Sequence, residues 1–203
     1  MTEKIDLKRV EKAYFTAPRD DFATQTFKAY SYLMIDGEGS PGDSTEYHNA
    51  LKTLYPLAYA TKFFSKRNLG RDYVVPPLEG LWWADDMDAY IKPDRRDEWR
   101  WTLMLMLPDW IDADHVEQAR LSKPDLDMSA VRKGQLEEGL CLSKLHLGPF
   151  ADEAPVLRRL HHQLIPDGGY AFNGQHHEIY LSDPRRTAPE KLRTILRQPV
   201  KQA

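Results

Sequence analysis

One order of elements occurs twice along this chain of 203 residues, and it is the feature that most restricts how the chain can fold. The run FKAYSYLMID, Phe27 to Asp36, is rich in aromatic and β-favouring residues and stops at Gly37, Gly39, Pro41 and Gly42, so it predicts a strand. Asp43 followed by Glu46 has the spacing of an N-cap with its reciprocal carboxylate, and Tyr47, Leu51, Leu54 and Ala58 share one stripe, which predicts a helix over about 44–66 with Pro56 as its kink point. YVVPPLEGLWWA and WRWTLMLML follow as two extended segments on either side of the polar stretch DDMDAYIKPDRRDE.

A connecting helix, Ile111 to Lys123, is capped by Asp112 and ends before Pro124. The order then repeats: EEGLCLSKLHLGPF as a strand ending at Gly148 and Pro149, ADEAPVLRRLHHQLI as a helix, and GYAFNG with HHEIYLSDP as a closing strand pair. TAPEKLRTILRQPV, with Thr187 placed to cap, Pro189 at a first helical position and Leu192, Ile195 and Leu196 in a stripe, predicts a last short helix docked on the sheet. Two β-α-β-β halves, about 27–110 and 111–203, make an α+β domain with pseudo-two-fold symmetry and helices over one sheet face. Residues 1–26 are polar with scattered aromatics and are read as a lead-in arm, too short for a helix-turn-helix.

Composition removes several function classes. Lys plus Arg number 28 against 31 Asp plus Glu, a net charge of −3, so no basic excess exists to neutralise a phosphate backbone and a nucleic-acid partner is not expected. No apolar run approaches the ~18 residues that span a bilayer, and the charged opening MTEKIDLKRVEKAY has no signal-peptide core, so a cytoplasmic location without a membrane partner is expected. The single Cys141 closes no intramolecular disulfide and reads as a small buried hydrophobe.

Motif matches are mostly uninformative. Gly37, Gly39 and Gly42 match G-x-G-x-x-G, but the acid due ~20 residues on would fall inside the first helix, and Asp36, Glu38 and Asp43 would repel a pyrophosphate, so a turn is the better reading. His161 with His162 and His176 with His177 are adjacent pairs; neighbours diverge on a helix and oppose one another on a strand, so neither pair chelates one ion. No metal site and no cofactor are expected, and the histidines are read as surface or hydrogen-bonded. No G-x-S-x-G elbow is present, so a serine triad is not expected.

Chemistry concentrates elsewhere. All five tryptophans lie between Trp82 and Trp110. Alternation sends Glu79, Leu81 and Trp83 to one face and Leu78, Gly80 and Trp82 to the other; Trp99, Trp101, Leu103 and Leu105 share a face in the next strand. In HHEIYLSDP, Glu178 and Tyr180 face one way and His177, Ile179 and Leu181 the other. A carboxylate inside an apolar strand costs several kcal/mol unless it is paired or protonated, so Glu178 and Glu79 need a reason to be there. A cation or polarised group stacked on indole and phenol faces supplies one, at ~0.5–2 kcal/mol per ring.

The strings VVPPLEGLWW, EEGLCLSKLHLGPF and HHEIYLSDPRRTAPEKLRTILRQPV, with ALKTLYPLAYATKF in the first helix, resemble the stand-alone branch of the GyrI-like small-molecule-binding proteins, over about residues 27 to 200. The resemblance implies a curved antiparallel sheet built from a tandem β-α-β-β repeat, with helices on one face and a ligand groove between the halves. Members act as drug-sensing domains fused to transcription factors, as gyrase-inhibitory proteins and as free-standing binders of flat, often cationic compounds. Some stand-alone members hydrolyse cyclopropane-bearing DNA-alkylating natural products with an aromatic cage and acidic residues. Carried onto this chain, the pocket acid of the last family strand matches Glu178, with Tyr180 two positions on, and the cage matches Trp83 or Trp82, Trp101, and Tyr55 or Tyr59.

The expected function is binding of flat, hydrophobic or cationic xenobiotics, with cofactor-independent hydrolysis of strained rings. Glu178 would serve as base, and Tyr180 or a protonated Glu79 would polarise the substrate. A non-catalytic sequestering module and a topoisomerase-inhibitory protein are the alternatives. The aromatic density also fits a homodimer.

Overall fold

A computed structural model of the chain describes residues 3–41, 44–86, 95 and 98–203. Nine strands are present among them: β1 (Lys4–Ile5), β2 (Ala23–Glu38), β3 (Asp72–Tyr73), β4 (Glu79–Trp83), β5 (Arg100–Leu107), β6 (Arg132–Leu147), β7 (Tyr170–Phe172), β8 (His176–Tyr180) and β9 (Arg193–Gln202). Among the described residues the helices are α1 (Leu7–Val10), α2 (Thr45–Asn68), α3 (Ala113–Leu121) and α4 (Glu153–Arg159), the last running on through a π-helical turn at Leu160–Leu164 and a final helical turn at Ile165–Asp167.

The two β-α-β-β units are β2-α2-β4-β5 and β6-α4-β8-β9. Their strands form one antiparallel sheet in the order β6-β2-β5-β4-β8-β9, and β6 also pairs with β9, so the sheet curves until it closes on itself. At the seam Cys141–Ser143 pair on one edge with Ala23–Gln25 and on the other with Arg197–Pro199, and the β6–β9 ladder runs on to Leu147 opposite Arg193. α2, α3 and α4 cover the outer face, where Leu54, Leu57, Val116, Leu157 and Leu160 pack on Leu33, Leu103, Leu105 and Leu196. The inner face is filled by Phe27, Tyr30, Tyr32, Leu81, Met104, Met106, Ile179 and Ile195.

Several expectations change. Residues 187–200 do not form a helix: Pro189–Lys191 make one 3-10 turn and Arg193–Gln202 is strand β9, clasped between β8 and β6. Thr194, Leu196 and Gln198 alternate with Ile195 and Arg197 there, a period of two that the stripe of Leu192, Ile195 and Leu196 masked. The closing strand pair is not one, since β7 pairs with β9 and β8 lies between β4 and β9. Ser44 caps α2 by accepting from the Tyr47 amide at 3.2 Å, while Asp43 lies outside the described residues, as do Gly42 and most of the polar stretch after Ala84.

The N-terminal residues also do more than lead in. β1 pairs with β3, and Leu7, Tyr14 and Phe15 are buried in the inner core. Among the described residues no helix is long and apolar enough to cross a membrane.

Alternation along β6 changes phase at Gly139, whose φ of +63° is the left-handed region that glycine enters without a Cβ clash. Glu138 before it and Cys141 after it consequently both face the interior.

Candidate ligand site

The two carboxylates singled out in the sequence stand back to back. β4 and β8 pair with Gly80 opposite Glu178 and Leu81 opposite His177. Glu79 therefore shares the inner face with His177, and Glu178 shares the outer, helix-covered face with Trp82. The expected joint action of Glu79 and Glu178 on one substrate is corrected by this register.

Glu79 belongs to a buried ionic chain. Tyr14 donates its hydroxyl to Glu79 Oε2 at 2.5 Å and lies 2.8 Å from the Tyr32 hydroxyl. His177 faces Glu79 Oε2 through Nε2 at 3.0 Å and Glu138 Oε1 through Nδ1 at 2.9 Å. Arg197 donates to Glu138 Oε2 at 2.8 Å and to the Tyr14 carbonyl at 2.7 Å, with its guanidinium 3.6 Å from the Phe27 ring centre. Burial alone would push the His177 imidazole down, but the carboxylates on its two nitrogens outweigh that and raise it to about 9. Burial opposes ionisation of Glu138 as well, yet His177 and Arg197 hold it at about 2. His177 and Arg197 thus tie Glu79 and Glu138 into one buried chain, in which Glu79 Oε1 and Arg197 Nε are buried without a hydrogen-bonding partner among the described residues, and the histidine is a hydrogen-bonded group rather than a surface one.

The outer face is different. Glu178 is only 6% exposed, on a strand whose partner at that point, Gly80, has no side chain. Gly80 is required: an added Cβ would stand 2.6 Å from Trp82 Nε1 and 3.2 Å from the Tyr180 hydroxyl. Trp82 donates its indole N–H to that hydroxyl at 2.9 Å. Tyr47 of α2 stacks on Trp82 with ring centres 6.3 Å apart and meets Trp101 edge-on at 5.4 Å, and Trp99 meets Trp82 edge-on at 5.8 Å. Burial and the nearby Glu178 push the Tyr47 phenol above its ordinary range. Phe150, ahead of α4, closes on Tyr180 at 5.7 Å. Glu178 thus shares the outer face with Trp82 and Tyr180, with Tyr47 of α2 close enough to feel its charge.

Of the expected cage, Trp82 and Trp101 stand on this face, together with Tyr180, the expected polarising group, and Tyr55 is half-buried on the same side of α2. Trp83 packs on the inner face, so of the two adjacent indoles Trp82 is the one beside Glu178. Tyr59 is 48% exposed with its ring toward Phe63 and does not join the group. At 100° per residue Tyr59 stands ~120° round the helix from Tyr47, and Tyr55 ~80°. Trp110 sits apart, donating to Ser65 at 3.0 Å under Arg71.

Two members were not singled out: Tyr47 and Trp99. Tyr47 was visible as the first residue of the α2 stripe. Among the described residues no group of three or more His, Cys, Asp or Glu is arranged to hold a metal ion.

A closed sheet with helices on one face, and between them an acid walled by stacked rings, defines a small-molecule-binding domain of tandem β-α-β-β build. The comparisons agree. The family model for the GyrI-like small molecule binding domain matches residues 116–201. An uncharacterized conserved protein from Listeria innocua is 40% identical with a TM-score of 0.86, and a hydrolase from Listeria innocua is 40% identical with a TM-score of 0.80; each match covers 98% of this chain and 100% of the other. The C-terminal domain of EcmrR, 13% identical with a TM-score of 0.60 over 90% of this chain and 98% of its own, shares the fold. No curated protein matches the chain. The chain belongs to the GyrI-like small-molecule-binding family.

Proposed function

We propose that this protein binds flat, hydrophobic or cationic foreign molecules against Glu178 and hydrolyses strained, cyclopropane-bearing electrophiles without a cofactor. The observation that carries the reading is the placement of Glu178, buried on the outer sheet face beside Trp82, Tyr180 and Tyr47. An anion among π-faces favours a cationic or polarised guest, which the rings orient by stacking. The hydrolase from Listeria innocua, 40% identical along nearly the whole chain, supports a hydrolytic role.

In the reaction, Glu178 takes a proton from water as the water oxygen bonds to a ring carbon. The strained C–C bond breaks, and its electron pair moves through the conjugated system onto a carbonyl oxygen, which the Tyr180 hydroxyl orients. The active species acts in the cytoplasm on small molecules and not on nucleic acid, and pairs with a second copy.

The test is incubation with a cyclopropane-containing alkylator, following the ring-opened product by mass spectrometry. Glu178→Gln is expected to lower turnover by ~100-fold or more, the scale of a lost general base, while flat neutral ligands still bind. Unchanged turnover in Glu178→Gln overturns the catalytic assignment. Tight binding with no product in the parent protein favours the sequestering alternative.

A further inference from the structure

The tyrosine that the outer-face group leaves out belongs to another arrangement. Tyr59, Phe63 and Arg67 stand four residues apart on α2, so each is turned only ~40° from the last and the three make one stripe. That stripe faces solvent: Tyr59 is 48% and Phe63 46% exposed. After α3 ends at Leu121 the chain turns, the Leu126 amide donating to the Lys123 carbonyl, and sets Ser122, Lys123 and Leu126 along the other side. Between the two sides lies an open groove of about 290 Å³.

Single exposed apolar side chains are common on protein surfaces, but here three meet in one concavity. Tyr59 and Phe63 set their rings side by side, centres 6.5 Å apart and planes tilted by 31°, as a broad aromatic wall. Leu126, also half exposed, stands across from them. Among the described residues no carboxylate lines the groove, whereas two cations do. Neither Arg67 nor Lys123 has an ion-pair or side-chain hydrogen-bonding partner among the described residues, although Lys62 and Lys66 of the same helix both hold Asp72, at 2.7 and 3.2 Å.

We propose that this groove is a second binding site, for planar aromatic acids: the ring system lies on Tyr59 and Phe63, and its carboxylate or sulfonate meets Arg67 and Lys123. The proposal is independent of the reading of Glu178.

Charge sets the class of guest. In a protein of net charge −3, this concavity carries two positive groups and no negative one, and an anionic head gains charge-assisted hydrogen bonds from both. Spacing sets its shape. Phe63 and Arg67 are one turn apart, ~6 Å of helix, so an acid group joined directly to a ring system reaches the cation while its rings cover the wall. Volume sets its size, since a groove at the small end of ligand sites takes a bicyclic acid and not a long helix of another protein. A second copy is disfavoured as the occupant, because a two-fold contact on this face would bring both pairs of unpartnered cations together.

The experiment titrates the full chain with 2-naphthoate, followed by calorimetry and by the methyl resonances of Leu126 in leucine-labelled protein. One naphthoate per chain is expected, with a Kd of ~0.1–1 mM, the range for about a dozen non-hydrogen atoms on a half-open surface. The neutral isostere 2-naphthamide is expected to bind at least ~5-fold more weakly, and a roughly tenfold rise in salt to weaken naphthoate in the same direction. Arg67→Gln combined with Lys123→Gln, and separately Phe63→Ala, are each expected to cost ~10-fold in affinity, with melting temperatures unchanged because these side chains are exposed. Glu178→Gln is expected to leave naphthoate affinity as it is. Lack of saturable binding at ~5 mM, an affinity untouched by the double substitution, equal affinity for 2-naphthamide, or unmoved Leu126 methyls each overturn the proposal. Tighter naphthoate binding in Glu178→Gln would put the acid at the other site, and self-association in sedimentation that Phe63→Ala abolishes would give the face to a second copy; either result overturns it as well.

Discussion

Glu79 and Glu178 sit on paired strands one residue out of step, and that single step sends one carboxylate into a buried ionic chain and the other to the face that carries the stacked aromatic rings. The first is bound through Oε2 to His177 and Tyr14. The second is the acid on which the proposed function rests. Exchanging their roles would take a one-residue register slip, which would also turn Trp82 and Leu81 to the wrong faces.

The two acids are therefore expected to separate cleanly on mutation. Glu79→Gln breaks a buried pair and is expected to lower stability by ~3 kcal/mol or more in urea unfolding, leaving ligand affinity nearly intact. Glu178→Gln is expected to do the reverse, with little or no loss of stability and a clear loss of cation binding. Matching stability losses in both would contradict the division.

Stability should also fall on the alkaline side. The His177 imidazole titrates near 6.5 when unfolded and is raised to about 9 in the folded protein. A raised folded value means that its contribution is whole below the unfolded value and is lost as pH rises through the folded one. The expected loss between about pH 6.5 and 9 is up to ~3 kcal/mol, read from urea midpoints across that range. His177→Gln should be less stable at neutral pH and should lack this slope.

Gly80 should tolerate no side chain. An alanine Cβ would meet Trp82 Nε1 at 2.6 Å and break the indole's bond to Tyr180. Gly80→Ala is expected to cost ~1–3 kcal/mol and to weaken ligand binding more than its stability loss explains, which binding measured well below the melting temperature would show.

At Gly37 the requirement is purely one of packing. The Trp101 indole lies across it, so an added Cβ would stand 2.1 Å from a ring carbon. The same indole donates to the Gly39 carbonyl at 3.2 Å. Gly37→Ala is expected to lower stability by at least ~2 kcal/mol and to shift tryptophan emission to the red as Trp101 is displaced. Unaltered emission would mean that the strand gives way instead.

Much of the architecture could be read from the chain because its signals are local. The α2 stripe, the Asp112 cap and the alternation in β4, β5 and β8 each lie within one element. What escaped depends on partners distant in sequence. Residues 193–202 have a short helical stripe, and only β6 and β8 on either side make them a strand. Tyr14 looks like an isolated aromatic in a polar arm until Glu79 and Arg197 close around it. The glycines at 37 and 39 imitate a phosphate-binding turn, while their actual neighbour is an indole from the paired strand. For the site, alternation placed Glu178 with Tyr180, but which tyrosines of α2 turn inward depends on how that helix is rolled on the sheet.

The seam at Cys141–Ser143 has a mechanical consequence. Backbone pairing runs without a break around the ring, so the two halves cannot spread like the blades of a clamp to admit a guest. Entry and exit fall to the layer above: Tyr47, Phe150 and the first turn of α4, which rest on the outer wall without being laced into it. Under the proposed function, a guest would then be admitted by the movement of a few side chains over a rigid floor.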